Sequence, residues 1–355
     1  MLPYIIMLII ISFFLLFYKG RKKGKVTWCL MMLLMMMCGL RGETVGTDTH
    51  NYISYYLGYS DVDRFGIFYN LLSQGVSLVY NDEHAFLMAM AVLTYIPLSY
   101  VITTRSTKPL LSVYMFFCAS ALFFLETMNL SRESIAIAWL MMFMVFWEED
   151  KKKSALICLT IAFFAHKYAI IIIPFLLLEK LVLTERGVIF AIIGSAAIGL
   201  IGILDNITNF LVFLSGQIAD SEFYYDYIKY ASREIGSDWN IVGQLSHILP
   251  ISALTYLCYC DDTKDTYLYK CLLVGTIMLN LFVSVKYCER LSSFFTISQI
   301  IVVPVALYSR SNSKRKRFGL IGLLFLLALL FIYQLNVFSR VVGLDTVVPY
   351  TTCLK

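Results

Sequence analysis

Charge is scarce in this sequence. Of its 355 residues only 15% are Asp, Glu, Lys or Arg, against roughly 25% in a soluble domain, and that shortage excludes an ordinary water-soluble enzyme. Strict apolar/polar alternation is missing from the long Leu, Ile, Phe and Met runs, which excludes the strands of a membrane barrel. The nine cysteines form no CxxC pair and no metal spacing. Cys29, Cys38, Cys118, Cys158 and Cys271 sit inside apolar runs and read as small hydrophobes. No basic residue precedes the first apolar run, MLPYIIMLIIISFFLLFYKGRKKGK. The charges follow it, so the expectation is a retained anchor and not a cleaved signal. No internal repeat, low-complexity tract or Pro/Gly/Ser linker divides the chain, and one membrane domain over residues 1–355 is expected.

What is abundant is apolar surface: 59% of residues are hydrophobic and the mean hydropathy is +0.74. A backbone in hydrocarbon must satisfy its own hydrogen bonds, and with barrels excluded this leaves helices. Apolar stretches long enough to span fall near residues 2–18, 26–40, 84–104, 109–126, 133–147, 154–166, 168–184, 187–204, 241–260, 267–285, 291–309 and 318–337. The expected fold is an all-α polytopic bundle of about 12 transmembrane helices. The basic loops, Lys19 to Lys25, Arg105 to Lys108, Lys151 to Lys153, Lys180 to Arg186, Lys264, and Arg310 to Arg317, occupy every second connection. The positive-inside rule makes them cytoplasmic. Both termini, the loops 41–83 and 205–240, the 127–132 turn and the tail from Phe338 are then expected outside. That placement accounts for the net charge of +5 without a nucleic-acid partner. Within the long loops, residues 67–81 and 206–231 pattern as amphipathic interfacial helices over an external cavity.

Charged residues at the outer helix ends carry the functional information, because an ionisable group in the hydrophobic layer is costly and usually faces a cavity or a partner. After the second span, RGETVGTDTHNYISYY places Arg41, Asp48 and Tyr52 around Gly46 and Thr47, whose small size allows backbone N–H groups near an anion. The alternative is an ordinary loop in which Asp48 or Thr47 caps a helix through Tyr56. In MNLSRESIAIAWLM, Ser131 suits a cap and Arg132 sits at a helix start, where a cation opposes the dipole and needs an anion nearby. Glu133 or Glu126 would supply one structurally; a phosphate held by the guanidinium and the helix N–H groups would supply one functionally. FFAHKYAIIIIP carries His166 and Lys167 in a tight turn; His166 is either a proton acceptor or a satisfied turn residue. KYCERLSSFFTI sets Lys286, Glu289 and Arg290 together, either neutralising one another or serving a ligand.

Once the topology is fixed, all four places share one face of the membrane, among aromatics such as Tyr52, Tyr55, Tyr56, Tyr224, Tyr225 and Tyr227. Cations that hold phosphate, beside aromatic faces that suit sugar rings, point to a lipid-linked sugar phosphate. A flippase is the main rival and should show related halves and broken helices at the midplane. An O-antigen ligase and a membrane acyltransferase are further alternatives. With no cluster of carboxylates like a Mg²⁺ site, no metal and no cofactor are expected.

At these same residues the sequence resembles the EpsG family, a branch of the Wzy-type O-antigen and exopolysaccharide polymerases. The resemblance rests on Arg41 with Gly46-Thr47-Asp48-Thr49 and Tyr52, Asn129 to Ala136, His166-Lys167, Glu289-Arg290-Leu291, and Pro349-Tyr350. Glu133 departs from a common Gln, and Phe294-Phe295 from a Tyr-Phe-like pair. The resemblance implies a GT-C-like glycosyltransferase of the bacterial inner membrane. It would join repeat units carried on undecaprenyl diphosphate at the outer face, with a chain-length regulator protein as a further partner. By that reading His166, Asp48 and Arg132 are candidate catalytic residues. Arg41, Arg290, Lys167, Lys286, Thr47 and Tyr52 are candidates for holding diphosphate and sugar.

Overall fold

The computed structural model describes residues 1–20, 22–59, 66–119, 121–203, 241–283, 286–338 and 347–353. It is all-helical, and each of the twelve expected apolar stretches is occupied by helix. The chain runs α1 (Leu2–Phe17), α2 (Lys23–Gly39), α3 (Thr49–Tyr56), α4 (Gly66–Val79), α5 (Glu83–Arg105), α6 (Pro109–Tyr114), a π-helical turn Met115–Ala119, α7 (Ala121–Asn129), α8 (Ser131–Glu148) and α9 (Lys152–Ala165). A 3₁₀ segment Lys167–Lys180 follows, then α10 (Glu185–Ile201), α11 (Ile241–Leu257), α12 (Tyr267–Leu281), α13 (Lys286–Thr296), α14 (Gln299–Tyr308) and α15 (Lys314–Phe338).

Two helices, Glu83–Arg105 and Lys314–Val337, are long and apolar enough to cross a membrane, or up to four spans if each of two bent pairs counts as one. Others of the expected spans are apolar but shorter, such as Leu2–Phe17 and Tyr267–Leu281. The stretch expected at 291–309 is two helices, Arg290–Thr296 and Gln299–Tyr308, bent by 45°. The stretch 168–184 is not α-helical: Lys167–Lys180 is a 3₁₀ segment with Pro174 inside it.

The outward distribution of large side chains matches a lipid solvent. Ile9, Phe13, Phe17, Leu177, Phe190 and Phe325 are exposed, whereas α5, α6, α8 and α14 are buried on several sides. Helix α8 packs on α5 and α9 and also reaches α12, α13 and the 3₁₀ segment, so it joins the two halves of the chain. The expected amphipathic helix at 67–81 is α4, which lies against α5 and α9. The one expected at 206–231, with Tyr224, Tyr225 and Tyr227, lies outside the described residues.

Candidate functional site

The site is built where α3, the start of α8, the α9–3₁₀ junction and α13 meet. Its floor is the turn 127–131. Gly46 has φ +93°, and a Cβ there would stand 2.3 Å from the Met128 carbonyl oxygen, so only glycine lets the 44–48 loop lie on that turn. The Asp48 N–H then donates to Asn129 Oδ1 at 3.3 Å, and the Thr47 hydroxyl donates to the same oxygen.

Arg41 behaves differently from the other arginines. It is fully buried; its Nε donates to Thr49 Oγ1 (3.0 Å), Nη1 to the Cys38 carbonyl (2.6 Å), and Nη2 to Ser131 Oγ (3.1 Å). Its fork is thus committed to protein acceptors that tie α2, α3 and α8 together. Ser131, expected as a cap, occupies the first turn of α8 behind an N-cap of Leu130. Its hydroxyl instead donates to the Thr127 carbonyl (3.1 Å) while accepting from Arg41. The C-terminal tail closes over the same loop: Gly42 N–H donates to the Thr351 carbonyl (2.9 Å) and Cys353 N–H to the Leu40 carbonyl (3.0 Å). Tyr350 donates to the Met37 carbonyl at 2.9 Å.

In front of this scaffold stand Asp48, Arg132, His166 and Arg290. Asp48 holds the N-cap position of α3 without capping it through its side chain. Burial raises its carboxyl above the usual carboxylate range, while the cations of Arg290 and Arg132 pull it down. Arg132 is half-buried. Its backbone N–H donates to Tyr52 Oη at 3.4 Å, and its guanidinium carbon stands 5.9 Å from the centre of the Tyr69 ring. Tyr69 in turn donates to the Ala165 carbonyl at 3.2 Å, one residue before His166. Burial pushes the Tyr52 phenol up to about 12, so it remains a neutral hydroxyl.

His166 is the single residue between α9 and the 3₁₀ segment. Burial first, then Arg132, Lys167 and Arg290, lower its pKa to about 4. It is therefore a neutral imidazole at neutral pH, and its buried Nδ1 accepts no hydrogen bond among the described residues. Its ring packs against Tyr168 (4.9 Å) and Phe294 (6.2 Å). Lys167 and Arg290 are exposed. Glu133 is buried beside them, accepting from Ser293 at 3.4 Å and lying in the fields of Arg290 and Arg132. The side chains of residues 284–289, including Lys286 and Glu289, lie outside the described ones.

The structure thus brings Asp48, Arg132, His166, Lys167 and Arg290 together, with Thr47 and Tyr52 at the edge, and sets Arg41 behind them. Sequence reasoning missed Tyr69 and Ser293 and gave Asn129 only as the start of a stretch that carries the resemblance. Tyr69 left a signal as an aromatic on the amphipathic α4. Asp82, Glu83 and His84 lie within metal-ligand reach of one another, but Asp82 is the cap of α5, accepting from the N–H groups of His84 and Ala85. No curated protein and no solved structure matches the sequence. A family model does match, over residues 25–352, and it is described as the EpsG family. That match runs from the second helix through the tail that closes over Arg41, and the chain belongs to the EpsG family.

Proposed function

We propose that this chain is a membrane glycosyltransferase that polymerises glycan repeat units carried on undecaprenyl diphosphate at the outer face of the bacterial inner membrane. Family membership supports the polymerase class. The observation that carries the chemistry is the convergence of Arg132 and Arg290, from distant helices, on Asp48 and a neutral His166.

In this reading a hydroxyl at the non-reducing end of the incoming unit attacks the anomeric carbon of the growing chain. The bond from that carbon to the phosphate oxygen breaks, and undecaprenyl diphosphate leaves with the electron pair. Negative charge grows on the leaving oxygen, so cations already in place in a poorly hydrated site stabilise the transition state more than the ground state. Arg132, Arg290 and Lys167 have that role. The hydroxyl proton passes to His166, which carries a free lone pair at neutral pH, or to the Asp48 carboxylate. Arg41 holds the loop and the start of α8 in register. The alternating basic loops support about twelve spans with both termini outside, and the family resemblance implies a GT-C-like arrangement of them.

Deletion of the gene and analysis of surface glycan tests the class. A polymerase mutant retains a single capped repeat unit; a mutant that exports none would make the protein a flippase. Arg132→Ala and His166→Ala test the site, and an unaltered chain-length distribution in both removes these residues from the mechanism.

A further inference from the structure

Helix α13 is a wall with two sides. Arg290 and Ser293 face the site described above, while Ser292 and Thr296, on a different helical face, line a separate, half-open cavity of about 130 Å³ between α11 to α15 and the π-helical turn. Thr296 lies about 9 Å of helix rise beyond Arg290. The cavity is lined by the polar side chains of Ser246, His247, Ser292, Thr296, Gln299 and Gln334 together with apolar ones that include Leu327 and Phe331. No Asp, Glu, Lys or Arg is among its described lining residues.

Its amides are uncommitted. Gln299 is only 2% exposed, yet among the described residues no hydrogen bond engages the side chains of Gln299, Gln334 or Thr296. The neighbouring buried amide is handled otherwise: Asn280 donates to the Ile192 carbonyl and to Ser195 Oγ, both at 3.2 Å, and accepts from Ser252 at 3.1 Å. Buried polar groups are normally paired, so the open Gln299 and Thr296, with the half-buried Gln334 on the same space, point to a ligand.

We propose that this cavity is a subsite for one neutral, hydroxyl-bearing sugar ring of the lipid-linked substrate, an inference that rests on the transferase reading. The Gln299 and Gln334 amides and the Thr296 hydroxyl hold the ring hydroxyls, and Phe331 and Leu327 meet its C–H face. An acyl chain would leave both amides unpaired, and an anionic ligand would find neither lysine nor arginine there. A sugar ring offers donors and acceptors at its edge and apolar hydrogens on its faces.

The test uses the full chain in lipid nanodiscs and equilibrium dialysis with labelled glucose, galactose and N-acetylglucosamine, each alone and without a phosphate. Saturable binding of at least one is expected, weakened about tenfold or more in Gln299→Leu and Gln334→Leu and unchanged in Arg132→Ala. In polymerisation assays Gln334→Leu should raise KM for the lipid-linked unit with kcat nearly unchanged. Binding of none of the sugars, or binding that both variants retain with unfolding midpoints like the parent's, overturns the subsite. The two readings fail separately. Sugar binding needs no turnover, so a chain that polymerises but binds no sugar keeps its function and loses the subsite. A chain that binds sugar and does not polymerise keeps the subsite and loses the transferase.

Discussion

Ser293 Oγ donates to Glu133 Oε1 across 3.4 Å, joining the helix that carries Arg290 to the helix that carries Arg132. The same hydroxyl reaches the Arg290 carbonyl at 2.5 Å, so Glu133 is the longer of its two acceptors and the one that crosses between the helices. Glu133→Gln keeps an acceptor for Ser293 in a side chain of the same shape, so polymerisation is expected within about threefold of the parent, a barrier change of under 1 kcal/mol. Glu133→Leu removes the acceptor that crosses to α13, while the Ser293 hydroxyl keeps the Arg290 carbonyl at 2.5 Å and is not stranded, so activity should fall below that of the Gln variant only through a shift of α13. Equal activity in the two variants, measured as polymer formed per folded molecule, would remove this bond from the positioning of the cations.

Arg132→Lys separates charge from shape. A guanidinium grips phosphate oxygens with two parallel N–H groups, and that of Arg132 also stands 5.9 Å from the centre of the Tyr69 ring, whereas an ammonium is a point charge. Single-turnover transfer is expected to drop about tenfold or more in Arg132→Lys and further in Arg132→Ala. Full rescue by lysine would mean that only the positive charge matters.

Much of this arrangement was legible in the sequence because charge at a helix end in an apolar chain is expensive and therefore rare. Asp48, Arg132, His166 and Arg290 stood out for that reason, and the structure brings them together. The sequence could not separate Arg41 from Arg132. Both are arginines at outer helix ends, and what distinguishes them is the set of acceptors, Thr49, Cys38 and Ser131, that only the folded chain assembles. Helix was legible at all twelve apolar stretches, but its continuity was not. The bend between Thr296 and Gln299 and the 3₁₀ path through Pro174 arise from local geometry that hydropathy does not record.

Arg41→Lys follows from that difference. Lysine preserves the charge and cannot reproduce the fork onto Thr49 and Ser131, so stability should fall by about 3 kcal/mol. KM of the molecules that remain folded should hardly change. Thermal unfolding in detergent, paired with KM, checks this; a large KM change at unaltered stability would place Arg41 on the substrate.

Gly46→Ala is expected to be severe for its size. The backbone at φ +93° is strained for any side chain, and the new methyl would collide with the Met128 carbonyl. The loop must then lift from the 127–131 turn, taking Thr47 and Asp48 off Asn129. Loss of activity with a lowered unfolding midpoint is the expected pair of results, and a fully active Gly46→Ala would show that Asp48 does not need this perch.

His166 sets a pH signature. Its folded pKa of about 4 lies below the value of about 6.5 for an exposed imidazole. Between those two values the unfolded chain binds a proton that the folded chain does not, so acidification favours unfolding in that window. The stability tied to neutral His166 is complete above about pH 6.5 and is lost as pH falls towards 4. Asp48, raised by burial, acts in the opposite sense, since its folded carboxyl takes up a proton before the unfolded one. His166→Gln removes the first effect and leaves the second, so the unfolding midpoint of the variant should fall less steeply between pH 6.5 and 4.5 than that of the parent. The same low pKa keeps the imidazole available as a proton acceptor in mildly acidic buffer, and transfer rates should therefore show no half-maximal point near pH 6.5. An acid limb centred there would mean that His166 titrates like an exposed imidazole, in water and away from the arginines.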